Sequence, residues 1–261
     1  MDIEEILGSL EKGKISSNTA KKLLSLYSIE KIEDIAKIDV NRRKRRGIPE
    51  VIFAETKQLE EIKKILKITL EKTNFVMISR IKKEHYPKII SFCKRIKIKV
   101  KTGKNSSSLL LYKKPIKFHG GKVGIITAGT SDIGVAEEAR LMCEAMNCKC
   151  FSSYDVGVAG IQRIFPILKE MINQEVDCII VAAGMEGALA TLVSAMVDMP
   201  VIGLPTSVGY GYGEKGIASL ASMLQSCSLG LSVVNIDGGI AAGANAANIA
   251  NRASRKSSQN K

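Results

Sequence analysis

The sequence predicts an α/β protein with a C-terminal parallel sheet in three layers, preceded by a smaller α/β domain. From Lys122 onwards, apolar segments typical of buried strands, at 123–127, 150–154, 176–183, 200–204 and 231–236, alternate with segments of helical periodicity. Strands that alternate with helices in this way form parallel sheets with right-handed crossovers. Before Lys122, apolar strands at 51–53, 75–78, 96–100 and 108–112, with helical segments between them, indicate a separate small domain.

These patterns divide the chain of 261 residues into three parts. Residues 1–118 are the basic N-terminal α/β domain, which starts with predicted short helices at 3–10, 17–27 and 32–38. Residues 119–250 are the domain with the regular alternation, which we expect to carry the functional site. The last segment, 251–261, is poor in apolar residues, and we expect it to be disordered.

The charge and composition bear on the class of partner. The net charge is +13, and the excess of lysine and arginine lies mainly in residues 1–122 and in the C-terminal segment. A basic surface suits anionic partners and keeps an RNA-binding module as an alternative, which steeply salt-dependent RNA binding would favour. The chain has no tryptophan, few aromatic residues and no nucleic-acid-binding motif, so we expect no nucleic acid partner.

Neither a membrane span nor a disulfide framework is expected. The longest apolar stretch, 178–204, is interrupted by Glu186, Asp198 and Pro200, and the N-terminal sequence MDIEEILGSL is acidic rather than signal-like. We therefore expect a cytoplasmic protein. The six cysteines have no C-x-x-C spacing and are predicted to be free thiols, and no histidine or further cysteine lies at metal-ligand spacing, so no metal site is predicted.

The most informative stretch is PTSVGYGYGEKGIASLASMLQSC, which begins at Pro205 and ends at Cys227. Its glycines are unsuited to a helix or strand interior and let backbone N–H groups approach a phosphate or carboxylate, although a flexible surface turn has the same composition. They are Gly209, Gly211, Gly213 and Gly216. A helix that starts near Gly216 would add the anion preference of its N-terminus. Cys227 follows this helix and is either a small buried hydrophobic residue or a nucleophile.

Polar residues follow each predicted strand of the C-terminal domain. Because ligands of parallel α/β sheets bind at the carboxyl ends of the strands, we expect these residues to converge. They are Ser131, Asp132, Asp155, Glu186, Thr206, Ser207 and Asp237. Glu186, in the segment AAGMEGALA, is either a helix-initial acid favoured by the helix dipole or a partly dehydrated acid or base. In the N-terminal domain, the arginines of RRKRRGIPE suit a carboxylate or phosphate, or else form a solvated face.

Several segments, taken in order, resemble one family. They are RRKRRGIPEVIFAETK, TAGTSDIGVAEEA, YDVGVAGIQR, AAGMEGALATLV, VIGLPTSVGYG, MLQSC and VVNIDGG. This set is similar to that of the LarB family, the pyridinium-3,5-biscarboxylate mononucleotide synthases of nickel-pincer cofactor biosynthesis, and the resemblance covers both domains. The C-terminal domain of that family in turn looks like the PurE aminoimidazole ribonucleotide carboxylases, with a flavodoxin-like sheet. The chain departs from the family pattern at Gln162, where histidine is usual, and at Ala190 and Gly238, where proline and asparagine are common.

The resemblance implies that CO2 carboxylates the pyridinium ring of nicotinic acid adenine dinucleotide and that hydrolysis of the phosphoanhydride releases AMP. Cys227 would be the nucleophile that adds to the ring, and Glu186 would be the base that removes the ring proton. The residues that would bind ribose, phosphates or carboxylate are Ser131, Asp132, Asp155, Thr206, Ser207, Gly209, Gly211, Arg42, Arg45 and Lys57.

The same resemblance implies no tightly bound cofactor, and Asp155 or Mg²⁺ could activate the hydrolytic water. PurE-like domains assemble into octamers, so a homo-oligomer with sites completed by neighbouring subunits is expected. The alternative function is a PurE-type phosphoribosylaminoimidazole carboxylase or mutase. Gln162 counts against this alternative, because PurE enzymes rely on a histidine in that region and glutamine cannot shuttle a proton.

Overall fold

The computed structural model of the chain describes residues 3–24, 30–32, 36–38 and 46–259. It begins with helices α1 (Ile3–Glu11) and α2 (Ser17–Leu24), followed by an antiparallel pair of strands, β1 (Glu30–Ile32) and β2 (Ala36–Ile38). The predicted helix over 32–38 is therefore wrong. A helix of that length makes too few hydrogen bonds to offset the cost of nucleation, whereas pairing β1 with β2 gives the same backbone groups partners.

The N-terminal domain is a four-stranded mixed sheet with helices on one face. Its strands are β3 (Val51–Phe53), β4 (Phe75–Ser79), β5 (Lys99–Thr102) and β6 (Leu109–Tyr112), in the order β3-β4-β6-β5. Strands β3 and β4 are parallel, as expected for a crossover through a helix, and the other pairs are antiparallel. Helices α3 (Leu59–Lys72) and α4 (Tyr86–Arg95) cover the face of the sheet that carries Val76, Ile78, Leu109 and Leu111.

The opposite face of this small sheet packs against the C-terminal domain. Met77 and Leu110 alternate along β4 and β6 with the residues that face α3 and α4, and they bury against Leu141 and Ala145 of the next domain's first helix. Strands buried on both faces read as continuous apolar runs, which explains the segments VMI and LLL. The two domains thus share an apolar contact at the centre of their interface.

The C-terminal domain is a three-layer fold around a five-stranded parallel sheet, as predicted. Its elements are β7 (Lys122–Thr127), α5 (Ile133–Ala145), β8 (Lys149–Ser153), α6 (Ile164–Asn173), β9 (Cys178–Ala183), α7 (Ala188–Met196), β10 (Val201–Pro205), α8 (Ile217–Leu224), β11 (Leu231–Val233) and α9 (Gly239–Gln259). The strand order is β8-β7-β9-β10-β11. After β7, the chain adds β8 on one side of β7 and then adds β9 on the opposite side. Folds of this kind bind ligands at the switch point where the direction of strand addition reverses, which lies between β7 and β9 here.

The two faces of this sheet are covered by different helices. On one face, the small side chains of α5 and α9 let the helices approach each other closely; a Cβ at Gly243 would lie 2.5 Å from the carbonyl oxygen of Ala139. On the other face, Ile164, Leu168 and Leu189 of α6 and α7, with Met223 of α8, pack on the strands. Each helix runs opposite to the strands, from the carboxyl edge of the sheet back to the amino edge.

The structure of the C-terminal segment contradicts the prediction that this segment is disordered. Residues 251–259 were expected to be disordered, but α9 continues through them to Gln259. Asn251 accepts a hydrogen bond from the backbone N of Gly121 at 3.0 Å and donates one to the carbonyl oxygen of Met146 at 2.9 Å. The alanine-rich run before it favours helix, and these bonds tie the next turn to the amino edge of the sheet.

Candidate functional site

The loops at the carboxyl edge of the parallel sheet are held together by one buried acid. Asp132 is 3% exposed. Its Oδ1 accepts a hydrogen bond from Thr206 Oγ1 at 2.6 Å, and its Oδ2 accepts one from the backbone N of Gly129 at 2.8 Å. Burial raises the pKa of Asp132, and the hydrogen bonds partly oppose this effect. Both carboxylate oxygens are therefore engaged with the protein, so Asp132 and the fully buried Thr206 join the loops after β7 and β10.

A cleft of about 470 Å³ opens beside this junction, between the two domains. The C-terminal domain contributes Ser131, Gly134, Val135, Glu138, Ser207, Val208, Ile236 and Asp237, and the N-terminal domain contributes Glu55, Arg80, Asn105, Ser106 and Ser107. Of the residues predicted to bind substrate, Ser131 and Ser207 line this cleft. Its volume falls in the usual range of small-molecule sites, about 300 to 1,000 Å³.

Polar contacts fix the acids of the cleft. Glu138 Oε1 accepts hydrogen bonds from Ser79 Oγ and Ser108 Oγ of the N-terminal domain, at 2.5 and 2.6 Å. Asp237 Oδ1 accepts one from the backbone N of Ser207 at 2.9 Å. These carboxylates are oriented by donors on both sides of the cleft. Sequence reasoning missed Glu138, because on α5 it looks like an ordinary solvated acid.

The glycine-rich loop lies on the loop that carries Glu186. The backbone N of Met185 donates to the carbonyl oxygen of Val208 at 2.9 Å. A Cβ at Gly184 would lie 2.2 Å from that carbonyl oxygen, so a side chain there would separate the two loops. Gly209 lies against Met185, and Gly211 has a φ of +73°, in the left-handed region that favours glycine. The phosphate-binding role predicted for these glycines stays a prediction.

Glu186 and Cys227, the two predicted catalytic residues, lie at opposite edges of the sheet. Glu186 is exposed and directly precedes α7, at the carboxyl edge. Cys227 is exposed and follows α8, and four residues later Leu231 pairs with Val201, the first residue of β10. The nearby carbonyl oxygen of Leu229 accepts a hydrogen bond from Ser194 Oγ, in the last turn of α7.

The separation between these two residues is about the length of α7, because Glu186 precedes this helix and Cys227 lies near the edge where it ends. Nine residues at 1.5 Å each span about 13 Å. The two side chains therefore cannot meet within one protomer. The position of Cys227 could be inferred from the sequence, because a residue between a helix and the following strand of a parallel sheet lies at the amino edge of that sheet.

Asp155 and Lys57, which were also predicted to bind substrate, do not line the cleft. Asp155 follows β8; its backbone N donates to Thr127 Oγ1 at 3.1 Å, and its Oδ2 pairs with Arg163 Nη1 at 3.6 Å. Gln162 is exposed in the neighbouring turn. Lys57 is half-buried before α3 and does not line the cleft. Arg42 and Arg45 lie outside the described residues.

Of the six cysteines, four are buried, Cys150 is half-buried and Cys227 is exposed. Burial raises the pKa of Cys93 to about 11 and that of Cys178 to about 12. Cys227 is the exposed cysteine of the chain. Within the described ranges, no three His, Cys, Asp or Glu side chains are grouped so that they could hold a metal ion. In the same ranges, no helix combines the length and the apolar character needed to cross a membrane.

Comparisons with known proteins cover both domains. Residues 122–260 match the family model of AIR carboxylase, and residues 29–104 match the LarB/PurE-like N-terminal domain. The chain is 43% identical over 246 residues to an uncharacterized protein of Methanocaldococcus jannaschii. The aligned region covers 93% of this chain and 94% of that protein.

Proposed function

Because the chain belongs to the LarB family, with a LarB/PurE-like N-terminal domain and an AIR carboxylase C-terminal domain, we propose that it is a pyridinium-3,5-biscarboxylic acid mononucleotide synthase. The substrate is nicotinic acid adenine dinucleotide. CO2 carboxylates its pyridinium ring, and hydrolysis of its phosphoanhydride releases AMP. The observation that carries this proposal is the match to both domains in order on one chain, since an AIR carboxylase domain alone would fit other carboxylases equally well.

The chemistry requires a nucleophile before CO2 can be captured. A pyridinium carbon is electron-poor and does not attack CO2. When the thiolate of Cys227 adds to ring carbon 4, a C–S bond forms and the ring becomes a neutral enamine with a nucleophilic carbon 5. Carbon 5 then bonds to CO2 and leaves an iminium. A base removes the carbon 5 proton, and the electron pair expels the thiolate and restores the aromatic ring. The net change is loss of one proton and gain of one carboxylate.

Exposure supports Cys227 as the nucleophile. The thiolate is the reactive form, and burial raises the pKa of Cys93, Cys148 and Cys178 to about 11 or 12, so these thiols stay protonated near neutral pH. Cys227 is solvent-accessible. Glu186, the proposed base, is equally exposed in a single protomer. A carboxylate in water is a weak base, so a covering surface is needed to raise its basicity.

A second protomer would provide that surface and bring the two residues together. Because Cys227 and Glu186 lie at opposite edges of one sheet, their joint action on one ring requires Cys227 of one protomer to approach Glu186 of another. An exposed apolar surface on α8 and its flanking loops is suited to contact a second protomer. Its large side chains are those of Tyr210, Tyr212, Ile217, Leu224 and Leu229. We therefore propose a homo-oligomer with shared sites, an octamer by family resemblance.

The second candidate function is a carboxylase or mutase acting on phosphoribosylaminoimidazole, which the match of residues 122–260 to AIR carboxylase favours. Such an enzyme has no use for the N-terminal domain or for an exposed thiol. Gln162, where PurE enzymes have a histidine, also weighs against it.

Mass spectrometry after incubation with nicotinic acid adenine dinucleotide and ¹³C-bicarbonate tests the proposal. We expect AMP and a mononucleotide that is heavier than nicotinic acid mononucleotide by one labelled carboxylate, and we expect no labelled mononucleotide from Cys227→Ala. A parallel incubation with aminoimidazole ribonucleotide is the control for the second candidate. Carboxylation of that substrate, with the dinucleotide left intact, would contradict the proposal.

A further inference from the structure

The cleft between the domains has a wall that the AIR carboxylase domain does not supply. Glu55, Arg80 and the segment 105–107 belong to the N-terminal domain and face Ser131, Ser207 and Asp237 across a space of about 470 Å³. We infer that this wall is part of the substrate site and that Arg80 binds a phosphate group of a nucleotide. This inference rests on the proposed function only for the choice of a nucleotide as the ligand.

The wall is held rigidly against the C-terminal domain. The backbone N of Lys104 donates to Glu137 Oε2 on α5 at 2.9 Å, and within the wall itself the backbone N of Ile81 donates to the carbonyl oxygen of Ser107 at 3.0 Å. At Gly134, in the first turn of α5, an added Cβ would lie 2.4 Å from the carbonyl oxygen of Asn105. The glycine therefore permits a close approach that brings the hydroxyls of the segment to the cleft. A preorganised site binds without the cost of ordering its loops.

Arg80 is the single basic residue among the described residues that line the cleft. It follows β4 directly and has a φ of +55°, a left-handed conformation that is uncommon for a side chain of this size. Its Nη1 pairs with Glu55 Oε2 at 3.2 Å, and the two side chains are 49% and 64% exposed. Ion pairs this exposed contribute little, about 0 to 1 kcal/mol, so a ligand oxyanion can compete for the guanidinium.

The other lining groups match the remaining parts of a nucleotide. Serine hydroxyls, which donate to phosphate oxygens, come from both walls as Ser106, Ser107, Ser131 and Ser207. Three carboxylates also line the cleft. Glu138 is already bound by two serine hydroxyls, Asp237 by a backbone N–H and Glu55 by Arg80. Carboxylate oxygens accept hydrogen bonds from ribose hydroxyls and repel phosphate, so the phosphate is expected beside Arg80 and the sugar beside Asp237 and Glu138.

Titration calorimetry with AMP, nicotinic acid mononucleotide and adenosine tests the inference. We expect Arg80→Ala to weaken binding of a mononucleotide about 10- to 100-fold, the effect of losing a charge-assisted hydrogen bond, and to leave adenosine unaffected. Glu55→Gln should tighten the same mononucleotide several-fold, because the competing carboxylate is removed. Lys83→Ala, which removes an exposed charge outside the cleft lining, is the matched control and should change nothing.

The mononucleotide whose affinity falls in Arg80→Ala, AMP or nicotinic acid mononucleotide, identifies which phosphate of the dinucleotide Arg80 binds. Affinity of Arg80→Ala within twofold of the wild type for both mononucleotides, with an unchanged melting temperature, would overturn the inference. Absence of binding by the wild-type protein would overturn it as well. These binding measurements need no turnover, so a protein that binds mononucleotides through Arg80 and yet fails to carboxylate the dinucleotide would contradict the proposed function and leave this inference standing.

Discussion

Mixing two inactive variants tests whether each active site is built from two protomers. Cys227→Ala lacks the proposed nucleophile and Glu186→Gln lacks the proposed base, so each variant alone should be inactive. In one chain the two positions lie at opposite edges of the parallel sheet, separated by about the length of α7. If each site takes Glu186 from one protomer and Cys227 from a neighbour, a mixed oligomer contains sites in which both residues are intact.

The size of the recovery follows from random assembly. In an equal mixture, half of the protomers carry an intact Glu186 and half carry an intact Cys227, so about one quarter of the sites are complete in a symmetric oligomer. If both residues acted within one chain, no site would be complete. A second mixture, of wild type with the Cys227→Ala, Glu186→Gln double variant, tests the same arrangement by loss of activity. Wild type mixed equally with the double variant should retain about one quarter of full activity for shared sites, but about one half for sites within one chain.

The assay is formation of the ¹³C-carboxylated mononucleotide from nicotinic acid adenine dinucleotide and ¹³C-bicarbonate by co-expressed variants with separate affinity tags, purified through both tags so that only mixed oligomers are measured. Size-exclusion chromatography confirms that the variants assemble like the wild type. No recovery from the first mixture, together with one half from the second, would refute the shared site. Because the exposed apolar residues of α8 flank Cys227, Leu224→Glu should prevent assembly and abolish the recovery.

Three further predictions concern the interface, the cleft and the buried acid. Arg140→Ala should lower the free energy of unfolding by about 1.5 to 3 kcal/mol in urea denaturation, because the buried carboxylates of Glu137 and Glu144 would lose the charged hydrogen bonds of the guanidinium. Lys101 Nζ, 2.6 Å from Glu144 Oε2, and the hydroxyl of Tyr154 on Glu137 would remain as partners. Gly134→Ala should weaken mononucleotide binding and cost about 1 to 3 kcal/mol of stability, because its Cβ would meet the carbonyl oxygen of Asn105. Asp132→Asn should remove one component of the dependence of stability on pH, since burial raises the pKa of Asp132. Between the ordinary aspartate pKa of about 3.9 and this raised pKa, the folded state holds a proton that the unfolded state has lost, so stability falls as pH rises.

Each of these predictions has a control. For the interface, the control is Arg95→Ala, which removes an exposed arginine and should lower the free energy of unfolding by under about 0.5 kcal/mol. If Arg140→Ala were as stable as Arg95→Ala, the role given to the ion pairs would be contradicted. For the cleft, Gly129→Ala places its Cβ at an ordinary 3.5 Å from Asp132 Oδ2, so unchanged binding is expected there. For the acid, the same slope of unfolding free energy against pH in wild type and Asp132→Asn would show that Asp132 does not titrate in that window.

The fold class was predictable because strand and helix periodicity are local properties of the chain. The alternation after Lys122 placed the strands of the parallel sheet within a few residues of their observed bounds. The failures occur where contacts between separate segments decide the structure. The segment 32–38 was interpreted as a helix although pairing between 30–32 and 36–38 decides its structure, and residues 251–259 continue a helix whose contacts come from Gly121 and Met146, far away in the sequence.

The candidate site was predictable in part. Ser131 and Ser207 follow strands of the sheet, and the rule that ligands bind at the carboxyl edge is sufficient to place them. Arg80 and Glu138 were missed because nothing local marks them. Arg80 acquires its place from the docking of the N-terminal domain, and Glu138 from hydroxyls that are 59 and 30 residues away in the chain.

The sequence by itself determined the class of fold, the order of its elements and the family, since these depend on short-range periodicity and on motifs that are contiguous in the chain. The tertiary structure alone decided which groups share a space. It placed the N-terminal domain on α5 and so formed the cleft, and it fixed the distance between Glu186 and Cys227 across the sheet. The physical reason is that packing joins side chains without regard to sequence separation, while helices that run back along a parallel sheet carry residues near in sequence to its opposite edges.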